Sequence, residues 1–213
     1  MTTHKQILIA EDDSFLLTLL ELQCQSLDMQ TTSVVDGEQL VTAALSYNYD
    51  IILTDIQMPL CDGIQAMQIL RRLGYDRPIF AMSADSLDCE GFDFIFQKPV
   101  DITQLAELLS DTPQHEKLPL QLSSELTALF YENLAQLSQQ FARALENKEL
   151  SQMRQICHKI KGGAASFGHS NLTQLADQLQ QRLLADCAEP NLLIECQQFL
   201  QVTVQAGADS ERT

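Results

Sequence analysis

The chain has 213 residues, 45% of them hydrophobic, enough for one large domain or two small ones that each bury a core. Its net charge of −16 is uneven: residues 1–116 carry five Lys/Arg against 19 Asp/Glu, and residues 117–213 carry eight against ten. With no basic stripe to release counterions from a phosphate backbone, nucleic acid is not an expected partner. The acidic first half suits a metal site, a basic partner or a plain solvated surface. Cysteines at 24, 61, 89, 157, 187 and 196 form no C-x-x-C pair and no metal-like spacing with histidine, so reduced cytosolic thiols are expected. Neither a leader pattern nor an apolar run near the roughly 20 residues of a membrane span is present, and a soluble, cytoplasmic chain without membrane insertion is expected.

Taken in order, Gln6 to Ala10 is a short apolar strand that stops at Glu11-Asp12-Asp13. Asp13 or Ser14 can cap the helix behind it, whose Phe15, Leu16, Leu19 and Leu20 make an apolar face. Met29 to Val35 reads as a Thr/Val-rich strand, followed by an Asp36-Gly37 turn and a helix over about 38–46. Ile51 to Leu53 form a doubly buried strand with Asp55 at its end, where an aspartate serves either as a turn cap or as a site residue. A turn at Asp62-Gly63 leads into a helix carrying Ile64, Met67 and Leu70. Pro78 to Met82 ends at Ser83, and Phe92 to Phe96 ends at Gln97-Lys98-Pro99.

Strand and helix patterns thus alternate five times, which predicts an α/β fold with a parallel sheet and helices on both faces. Parallel strands bring their carboxyl ends to one side, so Glu11, Asp12, Asp55, Ser83 and Lys98 can converge. Three carboxylates could hold Mg²⁺ through oxygen ligands. A carboxylate flanked by a metal, an ammonium and a hydroxyl is set up to attack phosphorus and carry an acyl phosphate.

Residues of about 5–110 resemble the receiver domains of two-component response regulators, on Glu11-Asp12, Asp55-x-x-Met58-Pro59, Asp62-Gly63, Ser83-Ala84 and Lys98-Pro99. The resemblance implies a flavodoxin-like, doubly wound five-stranded sheet in the order 2-1-3-4-5. It implies Asp55 as phosphoacceptor, Glu11 and Asp12 as the acid pair around Mg²⁺, the Gln57 carbonyl as a further ligand, a cis peptide before Pro99, and Asp13 as the cap. Two departures stand out. Ser83 and Lys98 are 15 positions apart, about two helical turns short of the usual receiver, so the helix between Ser83 and Phe92 is expected to be absent or a single turn. The family's switch aromatic is replaced by Ile95, between Phe94 and Phe96. Both changes fall on the face most receivers use to signal, so reduced conformational output is expected.

Residues 111–120 read as a linker with two prolines, within an aperiodic stretch running from Ser110. Residues 121–213 are helical in pattern: Leu122, Leu126, Leu129, Phe130, Leu137, Phe141, Ala144 and Leu145 form one stripe, with Ser123 or Ser124 as its cap. A second helix over about Lys148 to Phe167 buries Met153, Ile156, Cys157, Ile160, Ala164 and Phe167. Asn171 can cap a third, and Pro190 opens a fourth with Leu193, Cys196, Phe199 and Leu200 inward. An antiparallel four-helix bundle is expected. His158 lies about 140° from its helix's apolar stripe and is expected to face solvent. Gly162 and Gly163 each cost about 1 kcal/mol in a helix and call for a reason such as close approach of another body.

His158-x-x-Lys161-Gly162 followed by Ser166-Phe167-Gly168 resembles the histidine-phosphotransfer domain over roughly 120–205. The resemblance implies His158 as the phosphorylated residue, Lys161 as a charge steadying the phosphoryl group and Gly162 as room for a docking receiver. The expected function is a phosphorelay intermediate in which Asp55 accepts a phosphoryl group from a sensor histidine kinase, possibly a hybrid one, and His158 exchanges it with a receiver, its own or a partner's. Such a chain is not an enzyme beyond catalysing its own phosphorylation and dephosphorylation. A rival role is a kinase-docking adaptor or phosphate sink, which the altered 84–96 region favours. A phosphatase of the haloacid dehalogenase type would need a second acid at 57, where Gln57 stands.

Overall fold

The computed structural model describes residues 4–84, 89–109, 124–184 and 190–210. Two compact units divide the chain, Met1–Leu120 and Gln121–Thr213. The linker expected at 111–120 and the cap expected at Ser123 lie outside the described residues, as does Cys187; the other five cysteines are free thiols. Among the described residues no helix is long and apolar enough to cross a membrane.

In the first unit β1 (Gln6–Ala10), α1 (Ser14–Ser26), β2 (Gln30–Val34), α2 (Gly37–Ser46), β3 (Ile51–Asp55), α3 (Gly63–Arg72), β4 (Ile79–Ser83), β5 (Phe94–Gln97) and α4 (Ile102–Leu109) follow in order. All strand pairs are parallel and the sheet runs β2-β1-β3-β4-β5. Side chains alternate faces with the period of two that strands impose. Ile7, Ile9, Leu53, Phe80 and Phe96 pack under α1 and α4, while Leu8, Ala10, Ile52 and Ile79 pack under α2 and α3. The central strands β1, β3 and β4 read as apolar runs because both faces are covered. Edge strand β2, richer in Thr and Ser, is only half-buried.

Ala84 and Cys89–Asp93 of the β4–β5 connection are not helical; residues 85–88 lie outside the described residues. Phe92, expected to open the fifth strand, precedes it, because Gly91 to Asp93 are held elsewhere. Arg71, in the last turn of α3, donates from Nε to the Gly91 carbonyl at 3.4 Å and from Nη1 to the carbonyls of Tyr75 and Arg77 at 2.9 and 2.8 Å. Its Nη2 pairs with Asp93 at 2.6 Å, and the same Asp93 oxygen accepts from the Ile79 N–H at 2.7 Å. Gly91, at φ +107°, lies so close over Met67 that a Cβ would stand 2.7 Å from its sulfur. Phe94 and Phe96 share one face with Phe80, with ring centroids 4.7 to 6.0 Å apart, which puts Ile95 on the other.

The second unit contains α5 (Ser124–Asn147), α6 (Leu150–Ser166), α7 (Ser170–Leu184) and α8 (Pro190–Ser210). α6 packs against α5 and α7, and α8 closes the bundle against α5 and α7. Lys148, at φ +57°, ends the first helix, so α6 begins at Leu150 and not at Lys148. Asn171 is not a cap: α7 starts at Ser170, and the Thr173 N–H bonds back to the His169 carbonyl. Leu129 and Leu193, expected inward, are exposed, whereas Leu134, on the same helix as Leu129, is buried. Adjacent apolar positions on one turn cannot both face the core: Phe130 takes the inner place beside Leu129, and the half-buried Leu192 lies next to Leu193.

Replacing Arg71 by Ala removes the group joining α3, the Tyr75–Arg77 turn and the entry to β5. The receiver unit is expected to lose about 2 kcal/mol, the scale of a charged hydrogen-bond network. Urea unfolding followed by a probe in the first unit checks it, and an unchanged midpoint would show that the clamp carries no weight.

Candidate functional site

β1, β3, β4 and β5 deliver Glu11-Asp12, Asp55, Ser83 and Lys98 to the carboxyl edge of the sheet. Each strand stops there for a local reason. The Asp13 side chain accepts from the N–H groups of Phe15 and Leu16 and so turns the chain into α1. Asp62 caps α3 through a capping box with Gln65. Lys98 follows β5 directly, joined to Pro99 by a cis peptide, and its backbone N–H donates to the Ser83 carbonyl at 2.7 Å.

Lys98 Nζ stands 2.8 Å from Glu11 Oε2 and 3.0 Å from Asp55 Oδ2, with all three side chains almost wholly buried. The other Asp55 oxygen, Oδ1, accepts from the Gln57 N–H at 3.3 Å. Gln57 therefore borders Asp55 through its backbone. Ser83 is buried at the end of the neighbouring strand. One carboxylate oxygen from each of Glu11, Asp12 and Asp55 lies within 4.8 Å of the others. Three hard oxygen donors this close, two of them buried, are a donor set suited to Mg²⁺. Burial pushes the Glu11 carboxyl up to about 8, against the pull of the Lys98 ammonium, and the Asp55 charge adds to the rise.

Behind Asp55 the β3–α3 loop is closely wound. A Cβ on Gly63 would stand 2.1 Å from the Asp55 carbonyl oxygen, and one on Gly37 would stand 2.3 Å from that of Cys61. The Gly63 N–H bonds to the Ile56 carbonyl at 3.0 Å. At this loop's rim Leu60, at φ +65°, is 82% exposed.

In the second unit the structure corrects one expectation. His158 does not face open solvent: it is buried, 8% exposed. A wheel drawn from α6's own apolar residues finds one buried stripe, but α6 is flanked by two helices, and every residue from Ile160 to Ala164 is buried as well. Gly162 lies within this covered stretch, its carbonyl accepting from Ser166 Oγ at 3.1 Å. The body approaching Gly163 is Phe130 of α5, 3.6 Å from where a Cβ would sit, an ordinary contact. Lys161 is buried and its Nζ pairs with Asp177 Oδ1 of α7 at 2.6 Å. Asp177 was not visible from α6. Its signal lay in α7, where a carboxylate at 177 follows the buried Ala176 and precedes the buried Leu179, at the margin of that helix's apolar face.

Two expected outcomes follow at the first site. Divalent-ion binding must displace the Glu11 proton, so Mg²⁺ affinity, measured by titration calorimetry, climbs as pH rises through about 8; a flat profile between pH 6 and 9 would contradict this. Gly63→Ala drives a methyl into the Asp55 carbonyl and lowers that affinity by about tenfold or more, given the cost of overpacking.

Two family models match the chain: "Response regulator receiver domain" over residues 7–110 and "Hpt domain" over residues 125–206. The sensor protein EvgS of Escherichia coli strain K12 is 27% identical over 214 residues, covering 88% of this chain and 18% of EvgS. The sensor histidine kinase RcsC of the same strain is 30% identical over 111 residues, covering 49% of this chain and 12% of RcsC. Among solved structures, the receiver domain of sensor histidine kinase PA1611 from Pseudomonas aeruginosa, described with a magnesium ion in its active-site cleft, is 31% identical with a TM-score of 0.47, covering 50% of this chain and 95% of that one. The chain spans less than a fifth of the length of these two sensor proteins. By the two models that together match most of it, the chain belongs to the two-component signalling proteins, as a response regulator receiver domain followed by an Hpt domain.

Proposed function

We propose that the chain is a phosphorelay intermediate in which Asp55 accepts a phosphoryl group from a phosphohistidine of a sensor kinase and His158 exchanges phosphoryl with a receiver. The observation that carries this reading is the Lys98 ammonium, 3.0 Å from Asp55 and 2.8 Å from Glu11, at the edge where three carboxylates gather. Glu11, Asp12, Asp55 and the Gln57 carbonyl would hold Mg²⁺, which when bound neutralises phosphoryl oxygens. An Asp55 carboxylate oxygen forms the new O–P bond as the donor's N–P bond breaks, and the bonding pair returns to the donor imidazole. Lys98 offsets the charge gathered on the phosphoryl oxygens, and Ser83 supplies a hydroxyl donor beside them. At His158 a ring nitrogen lone pair forms the N–P bond while the acyl phosphate's O–P bond breaks and its electrons stay on the departing carboxylate.

The donor is a sensor histidine kinase, the class that RcsC's name gives, the acceptor is a receiver upstream or downstream, and the chain works in the cytoplasm. It performs no reaction beyond its own phosphorylation, dephosphorylation and transfer. A second reading, a docking adaptor or phosphate sink, draws on the β4–β5 connection, whose described residues carry no helix.

The test incubates the full chain with Mg²⁺ and acetyl phosphate and maps the label on wild type, Asp55→Asn and His158→Gln. A relay places phosphate on both residues, with the His158 label lost in Asp55→Asn and regained when that variant is mixed with His158→Gln. Label confined to Asp55, with none passing to His158 or to a supplied receiver, supports the sink. No label on Asp55 refutes both.

A further inference from the structure

We propose that Arg154, and not Lys161, is the cation that binds the phosphoryl group on His158, with Asp177 holding Lys161 out of that role. The inference rests on His158 being the phosphorylated residue. Lys161 is a covered ammonium whose nearest anion is already in place: Nζ to Asp177 Oδ1 is 2.6 Å, and Asp177 Oδ2 is held in turn by Gln181 Nε2 at 3.3 Å. To serve a phosphoryl group, Lys161, itself buried, would have to give up or share its ion pair with the half-buried Asp177. Toward an incoming group of charge about −2, the Lys161–Asp177 pair presents no net positive charge.

Arg154 is in the opposite condition. It is half-buried on α6, its Nε is shielded from solvent with no hydrogen-bond partner, and no ion pair involves it among the described residues. A buried donor without an acceptor is unfavourable and has the chemistry to welcome an anion. Arg154 precedes His158 by four residues, the spacing that makes two side chains neighbours on a helix. At 100° per residue it lies about 40° around the helix from His158, on the same side as Lys161, whereas Lys159 lies about 100° away on the other side. The guanidinium fork matches two oxygens of a phosphoryl group, which a point ammonium does not. Arg154 thus brings to His158 a charge that no ion pair among the described residues compensates, and phosphorylation supplies the acceptor that its Nε lacks.

The experiment uses the full chain carrying Asp55→Asn, so that the receiver takes no phosphate, and loads His158 with phosphoramidate. In that step the donor's N–P bond breaks with loss of ammonia as the imidazole N–P bond forms. Phosphohistidine is followed by ³¹P NMR, with His158→Gln as the blank. Arg154→Ala is expected to slow loading by about tenfold or more, the worth of one charge-assisted hydrogen bond, and Lys161→Ala to slow it less. Arg154→Lys recovers part of the loss. Adding Asp177→Asn to Arg154→Ala frees Lys161 and restores most of the rate, a rescue that a merely structural arginine would not show. Loading of Arg154→Ala at the parent rate overturns the inference while leaving His158 as the phosphorylated residue, and so does failure of Asp177→Asn to rescue. A parent chain without label on His158 removes the premise and the inference with it.

Discussion

The Lys98 ammonium is the group on which the first unit's site depends. Glu11 and Asp55 are almost entirely withdrawn from water, and two buried carboxylates side by side are tolerable only with a cation between them. Lys98 reaches both because β5 ends beside β4, where the Lys98 N–H meets the Ser83 carbonyl. The strand order therefore does electrostatic work: it carries a positive charge across the sheet to acids from the other end of the sequence. Even so, burial keeps the Glu11 proton in place well above the ordinary carboxylate range, against the pull of the Lys98 ammonium. Three carboxylate oxygens within 4.8 Å of one another, beside that single ammonium, suit the cluster to a divalent ion.

The second unit solves a related problem differently. Its buried Lys161 is matched by the half-buried Asp177 across a helix interface. The first site gathers more negative charge than its cation can balance, while the second balances its lysine and leaves an arginine over. Neighbouring charges thus lean in opposite senses around Asp55 and His158.

Much of this was legible in the residues. Apolar runs at β1, β3 and β4 announced a parallel sheet because both faces are covered, and the polar residues closing them announced a common edge. A cap at Asp13 or Ser14 followed from their place directly before an amphipathic stretch, the receiver resemblance pointed to Asp13, and Asp13 is the cap. Around His158 the reading failed for a definite reason. A helical wheel sees only the residues of its own helix, and the cover over His158 and Lys161 comes from packing between helices. Asp177 and Lys161 are 16 residues apart, and only the α6–α7 register brings them together. Leu129 and Leu193 erred similarly, since each has an apolar sequence neighbour, Phe130 and Leu192, that is less exposed than it is. Nor does sequence periodicity reveal that Arg71 holds Gly91 and Asp93, because four separate acceptors meet one guanidinium only after the chain has folded.

That last arrangement changes how the receiver unit can tolerate alteration. A packed helix distributes its hold over many side chains, so losing any one leaves the others in force. Here one side chain, and one aspartate oxygen that serves two donors, reach across the end of α3, the turn before β4 and the entry to β5, beside the backbone bond from the Asp93 N–H to the Ile79 carbonyl. The side-chain part of that hold is concentrated at two positions, Arg71 and Asp93. Loss of Arg71 therefore releases three carbonyls and Asp93 at once, whereas loss of Asp93 leaves the three carbonyl contacts in place.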